Sequence, residues 1–266
     1  MSFATYVINL PRDRERLTHV SKLMEERGIP FELVQAVDGR ALTAEEWDRW
    51  VPPSGAPRPL IPGEVGCFLS HRRLWERIVE RELPYGIVFE DDIQLSPDAG
   101  AVLSDLGWLP RDADIVRLET TLVTVVLDRL PAASLGNRAV RRLHSFHWGT
   151  AGYIISRRAA KALLNLNSSI TIQVDDFMFN PERAAFRELN IYQLDPAICV
   201  QTSVLNPTMV VAGGIGDRSD VVMPPKLPRP KGFALLSRET RRAGRKALSR
   251  ARDFVKYRRR RIVRFG

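Results

Sequence analysis

The chain has 266 residues, 44% of them hydrophobic, which suits a globular domain with a substantial core. Its formal net charge of +9 is uneven, because the segment 226–266 carries 16 Lys and Arg against two acidic residues, a net of +14, and leaves −5 for residues 1–225. The basic pI therefore belongs to the C-terminal segment and does not make the body a nucleic-acid binder.

The cysteines and the N-terminal sequence indicate the cellular compartment of the protein. Cys67 and Cys199 lie far apart among apolar neighbours, which predicts buried free thiols and argues against a disulfide framework. No positively charged stretch precedes an apolar one at the N-terminus, and no apolar run reaches the roughly 18 residues of a membrane span. We therefore expect a cytosolic protein that is neither secreted nor membrane-spanning.

The first elements predict a parallel, Rossmann-like half. In order they are a strand over Phe3–Leu10, a helix over Arg14–Arg27 that Gly28 ends, and a strand over Phe31–Val37. Arg12 and Arg16 follow the first strand, where guanidinium groups suit a pyrophosphate or a nucleotide, although a solvated helix start explains them equally well.

A long helix precedes the central strand. Thr43 and Glu46 form a capping box for a short helix, and the proline-rich segment Val51–Pro62 is a loop by composition. From Gly63 the apolar spacing predicts a helix, and Ser70 and His71 interrupt its apolar stripe. They could face a ligand, or His71 could be a satisfied structural histidine.

The chain is organised around Tyr85–Pro97. Gly86–Glu90 is an apolar run typical of a strand buried on both faces, and Glu90, Asp91 and Asp92 stand where it ends. Ligands bind at the carboxyl ends of strands in open α/β sheets, and adjacent carboxylates suit Mg²⁺ or Mn²⁺. The alternative is a solvated acidic turn.

A second acidic pair, Asp175 and Asp176, follows the apolar run Ile170–Val174, which predicts another strand with carboxylates at its end. One of these acids could serve as a general base, or either could cap a helix over Phe177–Leu189. The other predicted elements are a helix over Asp98–Leu106, a strand over Asp114–Leu118, antiparallel additions at Val123–Leu127 and Val140–His147, a tight turn at Gly149–Gly152, a strand over Tyr153–Ser156, a helix to Leu164, and strands over Ile191–Leu194 and Ile198–Gln201.

The C-terminal segment 226–266 is predicted as a separate unit after a body of residues 1–225. Lys226–Lys231 is a linker, and Phe233–Phe265 is predicted to form a basic amphipathic helix, a kind of element that binds anionic membrane surfaces. A solvated tail and contact with RNA are the alternatives.

Five motifs in order resemble glycosyltransferase family 25, which includes bacterial lipooligosaccharide galactosyl- and glucosyltransferases and the collagen hydroxylysine galactosyltransferases. They are V-I-N-L-P-R-D-R-E-R at 7–16, P-G-E-V-G-C-F-L-S-H at 62–71, V-F-E-D-D at 88–92, G-T-A-G-Y-I-I-S at 149–156 and V-D-D-F at 174–177. The resemblance covers roughly Phe3–Gln201 and leaves out the C-terminal segment.

The resemblance implies a GT-A-like fold, a mixed Rossmann-type sheet flanked by helices, and an inverting, metal-dependent transfer of galactose or glucose from a UDP-sugar to a lipopolysaccharide core or other lipid-linked glycan. An enzyme with a lipid-linked acceptor would benefit from being held at the membrane, so we expect a peripheral enzyme on the inner face of the bacterial inner membrane, with the basic C-terminal segment as its membrane contact. The implied roles are Mn²⁺ or Mg²⁺ binding by Asp92 and Glu90, donor binding by Asn9, Arg12, Arg16, Ser70, His71, Glu90 and Asp91, and general base catalysis by Asp175 or, as second choice, Asp176.

Two other functions fit parts of the sequence. A metal-dependent phosphohydrolase acting on nucleotides would use the same carboxylates, and a nucleic-acid-binding protein would use the basic C-terminal segment. The oligomeric state is not fixed by the sequence.

Overall fold

The computed structural model describes residues 2–206 and 257–266. The strands are β1 (Phe3–Asn9), β2 (Glu32–Gln35), β3 (Tyr85–Glu90), β4 (Ile93–Leu95), β5 (Ile115–Arg117), β6 (Glu119–Thr120), β7 (Thr124–Asp128), β8 (Ala133–Leu135), β9 (Arg138–Arg142), β10 (Gly152–Ser156), β11 (Ile191–Asp195), β12 (Cys199–Gln201) and β13 (Arg258–Ile262). The helices are α1 (Arg14–Glu26), α2 (Ala44–Trp50), α3 (Pro62–Glu80), α4 (Ala99–Leu103), α5 (Arg157–Leu166), α6 (Val174–Phe179), α7 (Ala184–Glu188) and α8 (Thr202–Leu205), with a 3-10 turn at Gly39–Ala41.

A mixed sheet of eight strands lies at the centre, in the order β2-β1-β3-β10-β5-β11-β9-β8. Strands β2, β1 and β3 run parallel, β10 is antiparallel to β3 and β5, and β5 and β11 run parallel before the antiparallel β9 and β8. The predicted α/β fold with a parallel opening half is therefore confirmed. Parallel β1, β2 and β3 bring their carboxyl ends to one edge of the sheet.

Strand β3 is buried on both faces, as its apolar run predicts. Val88 packs into the core that α3, α5 and α6 cover, whereas Ile87 and Phe89 pack into the core that α1 and α4 cover. The polar residues that follow β3 therefore sit at the edge of the sheet between these two layers of helices.

The second acidic pair lies in a helix, so the strand predicted over Ile170–Val174 is wrong. Asp175 and Asp176 occupy the first turn of α6, where the unpaired N–H groups of the helix favour acidic side chains. The single helix considered over Phe177–Leu189 is divided into α6 and α7, with Pro181 between them, and proline cannot continue a helix because it lacks an N–H.

The last ten residues belong to the body, so the helix predicted over Phe233–Phe265 is wrong at its C-terminal end. Strand β13 pairs antiparallel with β7, and Val263 is buried, with its carbonyl accepting the hydroxyl of Thr120 at 2.7 Å. Pairing with the open edge of β7, together with a 2.8 Å ion pair from Arg261 to Asp195, stabilises this strand over a solvated helix. The predicted linker, Lys226–Lys231, and the rest of the predicted helix lie outside the described residues.

Candidate active site

The three consecutive acids at the end of β3 point in two directions. Side chains alternate along an extended chain, so Glu90 and Asp92 share one side and Asp91 takes the other. Their partners follow this division: Asp91 contacts residues of β1 and α1, whereas Glu90 and Asp92 contact α3, β12 and the turn before β10.

Asp91 joins two of the predicted donor-binding residues. Asn9, at the carboxyl end of β1, donates to Asp91 over 2.7 Å, and Arg16, in α1, donates to it over 3.3 Å. Burial raises the pKa of Asp91, although these donors favour its charge. Arg12 does not join the cluster, because it is exposed and pairs with Asp38 instead.

Glu90 is held by a chain of buried polar groups. Thr150 donates its hydroxyl to Glu90 over 2.7 Å, and His71 Nε2 lies 3.2 Å from the same oxygen. The other ring nitrogen of His71 lies 2.8 Å from the Tyr153 hydroxyl, which leaves Nε2–H as the donor to Glu90. Burial opposes the charge of Glu90, but these hydrogen bonds outweigh it and hold its pKa below the ordinary value.

Ser70 lies in a different environment from its neighbour His71. Its hydroxyl donates to Gly66 O over 2.6 Å and accepts the Val37 N–H over 2.8 Å, and the residue is 1% exposed. These bonds fasten α3 to the segment after β2. The side chain is not available to a nucleotide sugar, which goes against the donor-binding prediction for Ser70.

Glu90 and Asp92 meet at Gln201, the last residue of β12. The Gln201 amide nitrogen lies 3.5 Å from Glu90 Oε2 and 3.4 Å from Asp92 Oδ1, so oxygens of both acids converge on one position. Burial and the charge of Glu90 raise the pKa of Asp92 to about 7. Two converging carboxylates that repel each other are an oxygen set that fits a hard divalent cation such as Mn²⁺ or Mg²⁺.

A second ligand set in the described residues shares Glu90. Ligand atoms of Cys67, His71 and Glu90 lie within 4.8 Å of one another. Burial raises the pKa of the Cys67 thiol well above its ordinary value, which opposes the thiolate that metal binding needs. The oxygen pair Glu90 and Asp92 therefore fits Mn²⁺ or Mg²⁺ better than this set does.

The turn before β10 connects Asp175 to the acids of β3. Gly149 donates its N–H to Asp175 Oδ2 over 3.1 Å, and the next residue, Thr150, binds Glu90. Burial raises the pKa of Asp175. Asp176 differs, because an ion pair with Arg183 at 2.8 Å helps to hold its pKa down against burial. Asp175 is thus the acid that this turn links to Glu90.

Sequence reasoning missed the buried pair that holds this turn. Arg117 and Glu119, both 0% exposed, form a 2.8 Å ion pair, and Arg117 also donates to Gly149 O over 2.8 Å. Ala151 donates its N–H to Glu119 over 2.9 Å, while burial raises the pKa of Glu119 to about 8. Their spacing of two in an otherwise apolar run was the available signal, since it puts both charges on one face.

The turn leaves no room for a larger residue at Gly149. A Cβ there would lie 2.5 Å from Glu119 Oε1, and φ is +81°. We expect Gly149→Ala to lower the free energy of unfolding by about 1–3 kcal/mol and to lower activity, because it separates Asp175 from Glu90. Gly136→Ala is the matched control: φ is +55° but nothing lies within 4 Å.

Denaturant unfolding of both variants, together with an activity assay, measures this effect. The φ penalty is common to both, so the difference between them reports the clash with Glu119. Equal unfolding free energies and equal rates for the two variants would contradict the tight packing described for the turn.

Comparison with known proteins gives consistent matches. A family profile described as glycosyltransferase family 25 (LPS biosynthesis protein) matches residues 3–178. The chain is 36% identical over 206 residues to lacto-N-neotetraose biosynthesis glycosyltransferase LgtB of Neisseria meningitidis, covering 74% of this chain and 73% of that protein. It is 32% identical over 211 residues to the lipooligosaccharide biosynthesis protein lic2B of Haemophilus influenzae, covering 76% and 77%.

Proposed function

The chain belongs to glycosyltransferase family 25, and from that premise we propose an inverting, metal-dependent transfer of galactose or glucose from a UDP-sugar to a hydroxyl of a lipopolysaccharide core or other lipid-linked glycan. One observation supports the proposal: Thr150 binds Glu90 while the adjacent Gly149 binds Asp175, so a single turn links the two acids. The mixed α/β sheet is compatible with a GT-A-like arrangement, with the donor at the carboxyl ends of β1 and β3.

We assign the nucleotide and the diphosphate of the donor to the two opposite sides on which the β3 acids project. Asn9, Arg16 and Asp91 form the nucleotide side, where Arg16 can approach phosphate oxygens and the carboxylate can accept hydrogen bonds from the ribose. Glu90 and Asp92 would hold Mn²⁺ or Mg²⁺, which supplies positive charge to the diphosphate leaving group. His71 and Thr150 keep Glu90 ionised and oriented for this role.

Asp175 is the proposed general base. The acceptor hydroxyl attacks the anomeric carbon from the face opposite the diphosphate, the bond from that carbon to the diphosphate oxygen breaks, and Asp175 takes the hydroxyl proton. Attack from the opposite face inverts the anomeric configuration. The raised pKa of Asp175, caused by burial, makes it a stronger base than an exposed aspartate.

Product analysis tests this assignment against the phosphohydrolase alternative. The protein is incubated with Mn²⁺ and either UDP-galactose or UDP-glucose, and the released UDP, free sugar and inorganic phosphate are measured separately. Slow release of UDP and hexose supports a transferase without its acceptor. Release of UMP and hexose 1-phosphate as the main products, or of inorganic phosphate from UDP supplied alone, would replace the proposal with nucleotide hydrolysis. Where a glycan product forms, its anomeric coupling constant tests inversion.

Membrane association is also proposed, and the described C-terminal strand supports it. Of eight exposed large apolar side chains in the described part, five lie on or within two residues of β7 and β13: Leu122, Val123, Leu130, Tyr257 and Ile262. Arginines lie close to them in the sequence, including the exposed Arg259 and Arg264. Apolar groups beside cationic ones suit an anionic bilayer, and we place the enzyme on the cytoplasmic face of the inner membrane. No helix among the described residues could cross a bilayer.

Flotation with phosphatidylglycerol liposomes tests this surface. We expect Leu130→Ser combined with Tyr257→Ser to weaken binding by about tenfold, because both side chains are more than 70% exposed and would enter the interface. Leu33→Ser, at a 48% exposed leucine of β2, is the control. Unchanged flotation of the double variant would contradict a membrane role for this surface. Tight RNA binding in a salt-titrated gel shift would favour RNA as the partner of the basic segment.

A further inference from the structure

An exposed aromatic side chain stands beside the proposed base. Trp148 is 53% exposed, although tryptophan is usually well buried, and it directly precedes Gly149, whose N–H binds Asp175. Neighbouring Cα atoms lie about 3.8 Å apart, so the indole begins within one residue of the acid. Neither the family match nor the chemistry above gives this side chain a role.

The backbone of Trp148 is rigidly held. Its carbonyl accepts from buried Arg117 over 3.1 Å and from His147 Nδ1 over 2.7 Å, and His147 is 2% exposed. These bonds fix the main chain from which the indole projects.

The indole ring is also supported from one side. The Phe146 ring packs edge-on against it, with centroids 4.4 Å apart and planes at 66°, and Phe146 itself packs against the main core. Such an aromatic pair favours a fixed ring orientation. The result is a flat, preorganised apolar surface on the turn whose next residue, Gly149, binds Asp175.

A sugar ring is the ligand that suits such a surface. One face of a pyranose carries mainly C–H groups, which are weakly positive and pack on the negative face of an aromatic ring, while the hydroxyls at its rim stay free for hydrogen bonds. We infer that Trp148, supported by Phe146, is a stacking platform for the acceptor pyranose and places its hydroxyl beside Asp175. This inference rests on the proposed sugar transfer and names a part of its acceptor site.

Binding is tested without turnover by NMR. The chain contains five tryptophans, and the Trp148→Phe variant identifies the indole N–H signal of Trp148. The labelled protein, with diamagnetic Mg²⁺ and UDP, is titrated with methyl β-D-galactoside, methyl β-D-glucoside and methyl N-acetyl-β-D-glucosaminide, and with sorbitol as an open-chain control. We expect at least one pyranoside to shift this signal selectively and sorbitol not to. No selective shift with any of the three sugars would overturn the inference.

Kinetics separate this role from the donor chemistry. With the best pyranoside acceptor, we expect Trp148→Ala to raise the acceptor KM by about tenfold and Trp148→Phe to raise it less, while UDP-sugar hydrolysis without acceptor keeps its rate. Leu33→Ala, at a 48% exposed leucine on β2, is the control for removing a surface apolar group. An unchanged acceptor KM in Trp148→Ala, or equal loss of hydrolysis, would overturn the inference. If the unaltered chain does not hydrolyse a UDP-sugar at all, that result counts against the proposed function. The NMR titration would then still test whether Trp148 binds a pyranose.

Discussion

Asp92→Asn is expected to lower sugar transfer and donor hydrolysis by about 10²- to 10³-fold, because it removes one of the two carboxylates that converge at Gln201. The side chain keeps its size and can still contact Gln201, so the fold should persist. Binding of Mn²⁺, followed by electron paramagnetic resonance, should weaken by at least about tenfold. The control is Glu82→Gln, which changes an acid whose side chain is 83% exposed.

The same substitution, Asp92→Asn, is expected to raise the stability of the metal-free protein although it lowers activity. Burial and the charge of Glu90 raise the pKa of Asp92 from 3.8 to about 7, so the folded protein binds more protons than the unfolded chain between these values. In the absence of a divalent cation, the free energy of unfolding should therefore fall as the pH rises from about 4 to about 7 through this group. The Asp92→Asn variant lacks this titrating carboxyl group and does not lose stability through it. Its melting temperature at pH 8 without metal should therefore exceed that of the unaltered chain. Lower stability at pH 8 together with unchanged Mn²⁺ binding would contradict the role given to Asp92.

The parts of the site that follow one another along β3 could be predicted from the sequence. A buried run ending in charged residues places Glu90, Asp91 and Asp92 at the edge of the sheet, because no other position solvates them. Asn9 and Arg16 follow from the same rule, since β1 is parallel to β3. These inferences use only the order of strands and their direction.

The partners that act across the fold could not be predicted in the same way. Asp175 lies in the first turn of α6, and its contact with Gly149 depends on how α6 packs against the turn before β10. The role of Gln201 depends on β12 pairing with β4, which is a contact between distant segments. Ser70 carried no sign in the sequence that its hydroxyl would bind backbone groups, because a polar residue on an apolar helix face fits either a ligand or an internal hydrogen bond.

The end of the chain shows how tertiary pairing overrides local pattern. Four consecutive arginines and Ile262 fit an amphipathic helix, but the exposed edge of β7 offers unpaired backbone groups that β13 satisfies. Because residues 257–266 belong to the body, removing them would expose β7. Tests of the basic segment therefore need substitutions on the folded chain and not a C-terminal truncation.

Asp175→Asn is expected to lower transfer to an acceptor by about 10²- to 10⁴-fold, because the acceptor hydroxyl loses the group that takes its proton. The asparagine can still accept from Gly149 through its carbonyl oxygen, so the turn and the Glu90 contact should remain. Mn²⁺ and UDP binding, measured by calorimetry, should stay within about threefold of the unaltered chain, since the proposed site for these ligands lies at the β3 acids.

Asp176→Asn is the matched control for Asp175→Asn, one residue along the same helix turn. It weakens the ion pair with Arg183 and is expected to lower the free energy of unfolding by at most about 1 kcal/mol at neutral pH, with little effect on transfer. The pH profile gives a further distinction. Because burial raises the pKa of Asp175, the transfer rate of the unaltered chain should rise with pH through a value above that of an ordinary aspartate, and the Asn variant should lose this step. A large loss of transfer in Asp176→Asn with near-normal transfer in Asp175→Asn would move the base to Asp176, away from the acid that the Gly149–Thr150 turn links to Glu90.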